Sequence, residues 1–166
     1  MDKKVLNPLG IVIVLLLLIG IFTKKFPNYK LPTNSPMVEV QGKVATISDI
    51  NIDLEIVNTD ALRQKGLGGR ASLAENSGML FVFDAKPVIA NFWMKDMLIP
   101  IDIIWIKDNK ILRIDKNVPF YPPDTPDSQL KTYSPQVPID YVLEVNSGFS
   151  DKNNFKIGDV VTLPTL

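Results

Sequence analysis

Four charged side chains stand where their neighbours are apolar. Asp102 lies inside IPIDIIWI (Ile99 to Ile106), and Glu144 sits between Val142 and Asn146. Lys95 closes FWMK (Phe92 to Lys95), and Arg70 follows a glycine-rich turn. A carboxylate among aliphatic residues is costly to bury unless it gains a cation, several hydrogen bonds or a proton. Period-two parity puts Asp102 on one strand face with Pro100, Ile104 and Ile106, and puts Lys95 with Trp93. The set Arg70, Lys95, Asp102 and Glu144 is therefore either a group of buried ion pairs that serve the fold or a small polar pocket. As a pocket it would be floored by Trp93 and rimmed by the aromatics Phe120, Tyr121 and Tyr133. Convergent polar groups on an apolar floor are how small ligands are held. An aromatic platform with carboxylates suits a sugar ring, so a cell-envelope glycan or another small polar ligand is the expected partner.

Catalysis is the rival reading. Two carboxylates at a suitable separation hydrolyse glycosidic bonds, and a serine beside a desolvated lysine can act as nucleophile and base. Neither has a motif here beyond the residue types. The chain has no cysteine and no histidine. That removes the thiolate nucleophile, sulfur ligands for zinc and the commonest general base. Asp124 and Asp127 do not have the spacing of an EF-hand loop, and Met94 and Met97 read as packing methionines rather than soft-metal ligands. We expect no metal and no cofactor. Lys and Arg balance Asp and Glu at 18 each, so the electrostatic footprint of a nucleic-acid binder is missing. Oligomeric state has no sequence signal.

The elements that would position these residues begin with a membrane segment. Residues 1–4 form a short tail, and residues 5–22 are mostly apolar, with LGIVIVLLLLIGIF uncharged at 9–22. At 1.5 Å per residue that run reaches about 27 Å, close to the ~30 Å hydrocarbon core. TKKFPNYKLP follows and offers no small-x-small cleavage site, which favours an uncleaved signal anchor spanning the bilayer. Lys3 and Lys4 on one side nearly balance Lys24, Lys25 and Lys30 on the other. A short tail before the span leans the domain towards the extracytoplasmic side. Residues 23–36 carry three prolines and read as a semi-rigid linker reaching up to about 45 Å.

Residues 37–166 form the domain. Ile50, Ile52, Leu54 and Ile56 alternate with polar residues, which marks a half-buried strand. Thr59 is an N-cap for a short helix over Ala61 to Lys65 that Gly66 ends. Ser72 and Glu75 have capping-box spacing for a further turn that Gly78 would close. Met79 to Phe83 has no polar position and reads as a strand buried on both faces. Strands are also expected from Phe92, over Ile99 to Ile106, over Ile111 to Ile114 beyond an Asp108-Asn109 turn, over Tyr141 to Val145 and over Asp159 to Leu163. The sum is a mainly β fold: a compact antiparallel barrel or sandwich with one short helix. Val118 to Pro138 holds six prolines and is a long loop whose aromatics argue against disorder.

These residues resemble a known family. The order E-x-V-x-T-x-x-x-R-x-x-G-L (Glu55 to Leu67), Arg70, GMLFVF (Gly78 to Phe83), FWMK, IPIDIIWI, VLEVNSG (Val142 to Gly148) and IGD (Ile157 to Asp159) is similar to the domain-of-unknown-function family number 192, over roughly residues 50–163. The resemblance implies a small, mostly β domain, often exported or membrane-tethered, and brings no established activity. Members commonly have Met where this chain has Gly68. Many also carry cysteines in the segment that is proline-rich here. The sequence thus leads to a membrane-anchored, non-catalytic binding module, with a carboxylate-dependent hydrolase of envelope polymer as the alternative.

Overall fold

The structure, a computed structural model, describes residues 42–166. The expected membrane anchor and the linker lie outside the described residues. Among the described residues no helix is long and apolar enough to cross a membrane.

The elements run β1 (Lys43–Ile47), β2 (Ile50–Val57), α1 (Asp60–Lys65), β3 (Ser77–Val82), β4 (Phe92–Trp93), β5 (Ile101–Lys107), β6 (Lys110–Val118), a 3₁₀ turn (Asp127–Gln129), β7 (Thr132–Tyr133), β8 (Tyr141–Asn146), α2 (Phe149–Lys152) and β9 (Val161–Thr162). Seven strands form one sheet in the order β6-β5-β8-β3-β2-β1-β9, and β4 pairs with β7 in a separate ribbon. The sheet nearly closes on itself. Lys110 bridges Val160, Ile111 N–H donates to the Asp159 carbonyl at 2.9 Å, and Val161 N–H donates to the Asn109 carbonyl at 2.8 Å. A mainly β, barrel-like domain with two short helices results.

One pairing departs from the antiparallel expectation: β2 and β3 run parallel. Parallel neighbours need a crossover, and α1 lies in it. The helix forms as its caps dictate. The Thr59 side chain accepts from Leu62 N–H, and Gly66 turns to positive φ while its N–H donates to the Leu62 carbonyl. The further helical turn expected between Ser72 and Gly78 is absent. Residues Glu75 and Asn76 make a plain turn, and β3 starts at Ser77. Gly78 is needed there for a different reason. A Cβ at this position would stand 2.9 Å from the Glu144 carbonyl oxygen, so the glycine lets β3 lie close against β8. Glu75 instead pairs with Lys152.

Alternation on the central strands creates two apolar layers. Ile104, Ile106, Leu143, Val145, Leu80, Ile47, Ile52 and Val161 pack inside the barrel. Ile101, Ile103, Trp105, Val142, Met79 and Phe81 face outward, beneath Met94, Met97, Tyr133 and Ile139 from the segments that carry β4 and β7. The Asp108-Asn109 turn between β5 and β6 has positive φ at both residues (49° and 55°), which short polar side chains tolerate best.

Asp102 belongs to the inner layer and is fully buried. No cation meets it. Its Oδ1 accepts from Asn117 N–H at 2.8 Å and Gly148 N–H at 3.1 Å, and its Oδ2 accepts from Ser150 N–H at 2.9 Å. The carboxylate thus ties the end of β6 to the first turn of α2, where helical N–H groups lack backbone partners. Asp102→Asn should lower stability by about 3 kcal/mol in urea unfolding, because one acceptor oxygen is lost and an amide N–H is turned towards backbone donors. An unchanged midpoint would mean that this three-way anchor contributes nothing.

Candidate functional site

Glu144 stands opposite Asp102 in every structural respect. Register pairs Glu144 with Met79 of β3 and Ile103 of β5, whereas Asp102 pairs with Val145. Paired residues share a sheet face, so the two carboxyl groups point to opposite sides of the sheet. Glu144 lies in the outer layer, 6 % exposed, and lines a hollow of about 330 Å³.

Besides β8, which supplies Glu144, three elements build that hollow. Strand β3 contributes Phe81, with Phe83 just beyond it. Helix α1 and its cap contribute Arg63, Gln64, Lys65, Gly66 and Leu67. The segment through β4 contributes Val88, Ala90, Asn91, Phe92, Trp93, Lys95 and Met97. Phe92 meets Phe81 edge-on at 4.8 Å between ring centroids, and meets Trp105 at 5.4 Å, which fixes β4 against the sheet. Leu67, Phe81, Ala90 and Met97 are buried, while Gln64, Lys65, Asn91, Trp93 and Lys95 are exposed. The hollow therefore has an apolar inner wall with one carboxyl in it, and a polar mouth.

No donor or cation among the described residues reaches the Glu144 carboxyl within hydrogen-bonding or ion-pair distance. Burial alone pushes its pKa up from 4.5 to about 8. A carboxyl without a compensating charge keeps its proton rather than place an ion in an apolar wall. At neutral pH Glu144 is thus a neutral hydrogen-bond donor facing an open hollow.

The cations near it are largely committed elsewhere. Arg63 donates to the Val82 carbonyl at 2.6 Å and pairs with Asp60 and Asp84. Lys95 donates to both carboxylate oxygens of Asp127, at 2.9 and 2.7 Å, and the Asp127 hydrogen bonds raise its pKa above the ordinary lysine range. Its Nζ is 5.7 Å from the Trp93 ring centroid. Lys65 makes no ion pair among the described residues and stands at the mouth.

The four charged residues singled out by sequence are therefore not one cluster. Glu144, Lys95 and Trp93 line the same hollow. Asp102 is sealed in the barrel interior. Arg70 holds Glu55 of β2 through a two-pronged contact, with Nη2 to Oε2 at 2.6 Å, and these hydrogen bonds lower the Glu55 pKa. The loop aromatics separate in the same way. Tyr133 is buried beneath β4, where desolvation raises its pKa. Phe120 is 47 % exposed. Tyr121 accepts from Lys131 N–H at 3.3 Å and lines a second hollow of about 460 Å³ with Met94 to Leu98 and Pro122 to Asp127. A third, of about 700 Å³, lies between α1 and Asp127. Lys95 borders all three. The inner wall was missed by sequence reasoning. The available signal was parity on GMLFVF, which puts Met79, Phe81 and Phe83 on one face.

A barrel-like β domain with a crossover helix beside an apolar-walled hollow that holds one carboxyl is the class these features define. The family model described as Uncharacterized ACR, DUF192, matches residues 43–163, and the chain belongs to that family. No curated protein matches it. Among solved structures it is similar to a protein of unknown function from Novosphingobium aromaticivorans DSM 12444. That match has 27 % identity and a TM-score of 0.65, covering 82 % of this chain and 96 % of the other. It is also similar to a protein from Sinorhizobium meliloti 1021 described as a candidate transcription regulator. There the identity is 24 % and the TM-score 0.65, over 73 % of this chain and 92 % of the other, a likeness that shows the fold alone.

The raised Glu144 pKa fixes a pH dependence. The folded protein holds this proton up to about pH 8 while the unfolded chain releases it near 4.5. Stability is therefore fullest below pH 4.5 as far as this group is concerned, and falls as pH rises towards 8, by about 3 kcal/mol at pH 7. Glu144→Gln should remove that part of the slope and melt higher than wild type at pH 8. Parallel melting curves for the two proteins between pH 5 and 8 would refute the neutral carboxyl.

Proposed function

We propose that the protein is a membrane-anchored, non-catalytic binding module, held to the bilayer by residues 5–22 with its domain on the extracytoplasmic side. The module takes a glycan fragment or another small polar ligand into the hollow beneath Trp93. The observation that carries this reading is the Glu144 carboxyl, set in an apolar wall with no cation or donor beside it among the described residues and open to the hollow. Such a group costs stability unless something else satisfies it. An exposed indole at the mouth, 47 % accessible, supplies a flat apolar surface for a ring to stack on.

The hydrolase alternative has less support. Glycosidic hydrolysis needs a second carboxyl beside the first, and Glu144 is the only carboxylate lining this hollow among the described residues. The regulator description of the Sinorhizobium meliloti protein is not carried over, since a 24 % identical likeness shows the fold alone and the balanced charge gives no excess of cations for phosphates.

Full-length protein in nanodiscs should show saturable quenching or shift of its tryptophan emission with soluble peptidoglycan fragments or with a member of a panel of small polar molecules. The response should disappear in Trp93→Ala, while the buried Trp105 still reports a folded core. No response to envelope saccharides or to a panel of small polar molecules would sink the binding reading. Protease added to intact cells should cut the domain if it faces outward; a domain cut only after lysis would reverse the orientation.

A further inference from the structure

The hollow above Glu144 is selective in a way that narrows its occupant, if it is a binding site as proposed above. Its inner wall is Leu67, Phe81, Ala90, Phe92 and Met97, with the Glu144 carboxyl as the one buried polar side chain. A bare sugar carries a hydroxyl on nearly every ring carbon. Each hydroxyl placed against that wall would lose water and find no partner. The part of the ligand that enters must instead be mostly apolar, with a single hydrogen-bonding atom at its inner end. A neutral carboxyl offers its O–H, so the matching atom is an acceptor.

The mouth sets the charge. Arg63 is held by Val82, Asp60 and Asp84, and Lys95 by Asp127. Lys65, at the last turn of α1, is the lining cation with no anionic partner among the described residues. Among the described residues no Asp side chain lines the hollow to oppose an anion there, and the one Glu is at the inner wall. At about 330 Å³ the space is at the small end of ligand sites, enough for one ring or a short branched chain.

We propose that the hollow binds a small carboxylic acid with an aromatic or branched apolar body bearing one hydrogen-bond acceptor. The body lies between Phe81, Phe83, Phe92 and Trp93, the acceptor meets the Glu144 carboxyl, and the acid group meets Lys65 at the mouth. Ionisation of Glu144 removes the donor and places an anion where the acceptor must sit. Arg63 and Lys65 on α1 and Lys95 after β4 are the charged groups that face it, and none pairs with it. Binding therefore weakens as Glu144 loses its proton, while the ligand acid stays ionised throughout.

The test uses the full-length chain in nanodiscs and four probes followed by Trp93 emission. 4-Acetylbenzoate has the acid, the ring and the acceptor; 4-ethylbenzoate lacks the acceptor; 4-acetylbenzamide lacks the charge; N-acetylglucosamine is a neutral sugar. 4-Acetylbenzoate should bind at least about tenfold more tightly than the other three, as expected for one charge-assisted or one buried hydrogen bond. Lys65→Met should reduce it to the level of the benzamide. Its affinity should fall about tenfold or more between pH 6.5 and pH 9.5 in wild type and stay level in Glu144→Gln, which keeps a neutral donor. Equal binding of the acetyl and ethyl compounds, or tighter binding of N-acetylglucosamine, would overturn the proposed ligand class while leaving a binding site. No saturable response to any of the four, nor to peptidoglycan fragments, would overturn the class and the binding reading together.

Discussion

The central strand β8 is buried on both faces, and most of the molecule follows from that constraint. It has β5 on one side and β3 on the other, with residues Val142 to Val145 all buried. A strand in that position must send every second side chain into the barrel and the others outward. Leu143 and Val145 help fill the interior, and Val142 and Glu144 are committed to the outer layer. That layer exists only because the β4–β7 ribbon and its flanking segments fold back over the sheet. The hollow is the gap they leave between themselves and α1. The close contact of β3 with β8 at Gly78 belongs to the same arrangement, since any side chain there would push the strands apart and shift Glu144 with them.

The two buried carboxyl groups illustrate how differently one chemical group can be accommodated. Asp102 lies where the chain turns from β8 into α2, and that turn presents N–H groups with no backbone partner. Two of them, from Gly148 and Ser150, converge on it together with Asn117 N–H at the end of β6. The loss of hydration is repaid locally, and the result is an anchor for the β6 and α2 ends. Glu144 lies in the middle of β8, whose backbone is paired on both sides with β3 and β5. Neighbouring side chains are apolar, pair elsewhere or, like Lys65, stand at the mouth of the hollow, so its proton is its means of avoiding a buried charge.

Much of the fold was legible in the sequence because its signals are local. The alternation from Ile50 to Ile56, the Thr59 cap, the uninterrupted Met79 to Phe83 run and the Asp108-Asn109 turn each depend on neighbouring residues, and each appears where expected. The misreadings concern what is distant in sequence. Nothing in the chain between Thr59 and Ser77 states that β3 will return parallel to β2. Gly78 looks like a helix terminator until β8 is placed beside it. The candidate site was legible as residue types and not as an arrangement. Parity said correctly that Asp102 and Glu144 sit among aliphatic residues, but it is defined within one strand. Only the register between β5 and β8 shows that they face opposite ways. Similarly, Arg70 and Lys95 find Glu55 and Asp127, partners supplied by β2 and by the proline-rich loop.

The contrast between these partners bears on where chemistry or binding can reside. Ion pairs such as Arg70 with Glu55 and Lys95 with Asp127 are at least partly exposed, and pairs of this kind contribute little to stability. They place turns and loops without creating an unmet need. Glu144 is the reverse case: a carboxyl in an apolar wall with no cation beside it carries a cost that a methionine or leucine of similar volume would not. Its environment also lacks what a structural carboxyl in this molecule uses, as Asp102 shows. Glu144, set in the wall of an open hollow with an exposed indole and an uncommitted lysine at its edge, is the group on which the proposed binding role rests.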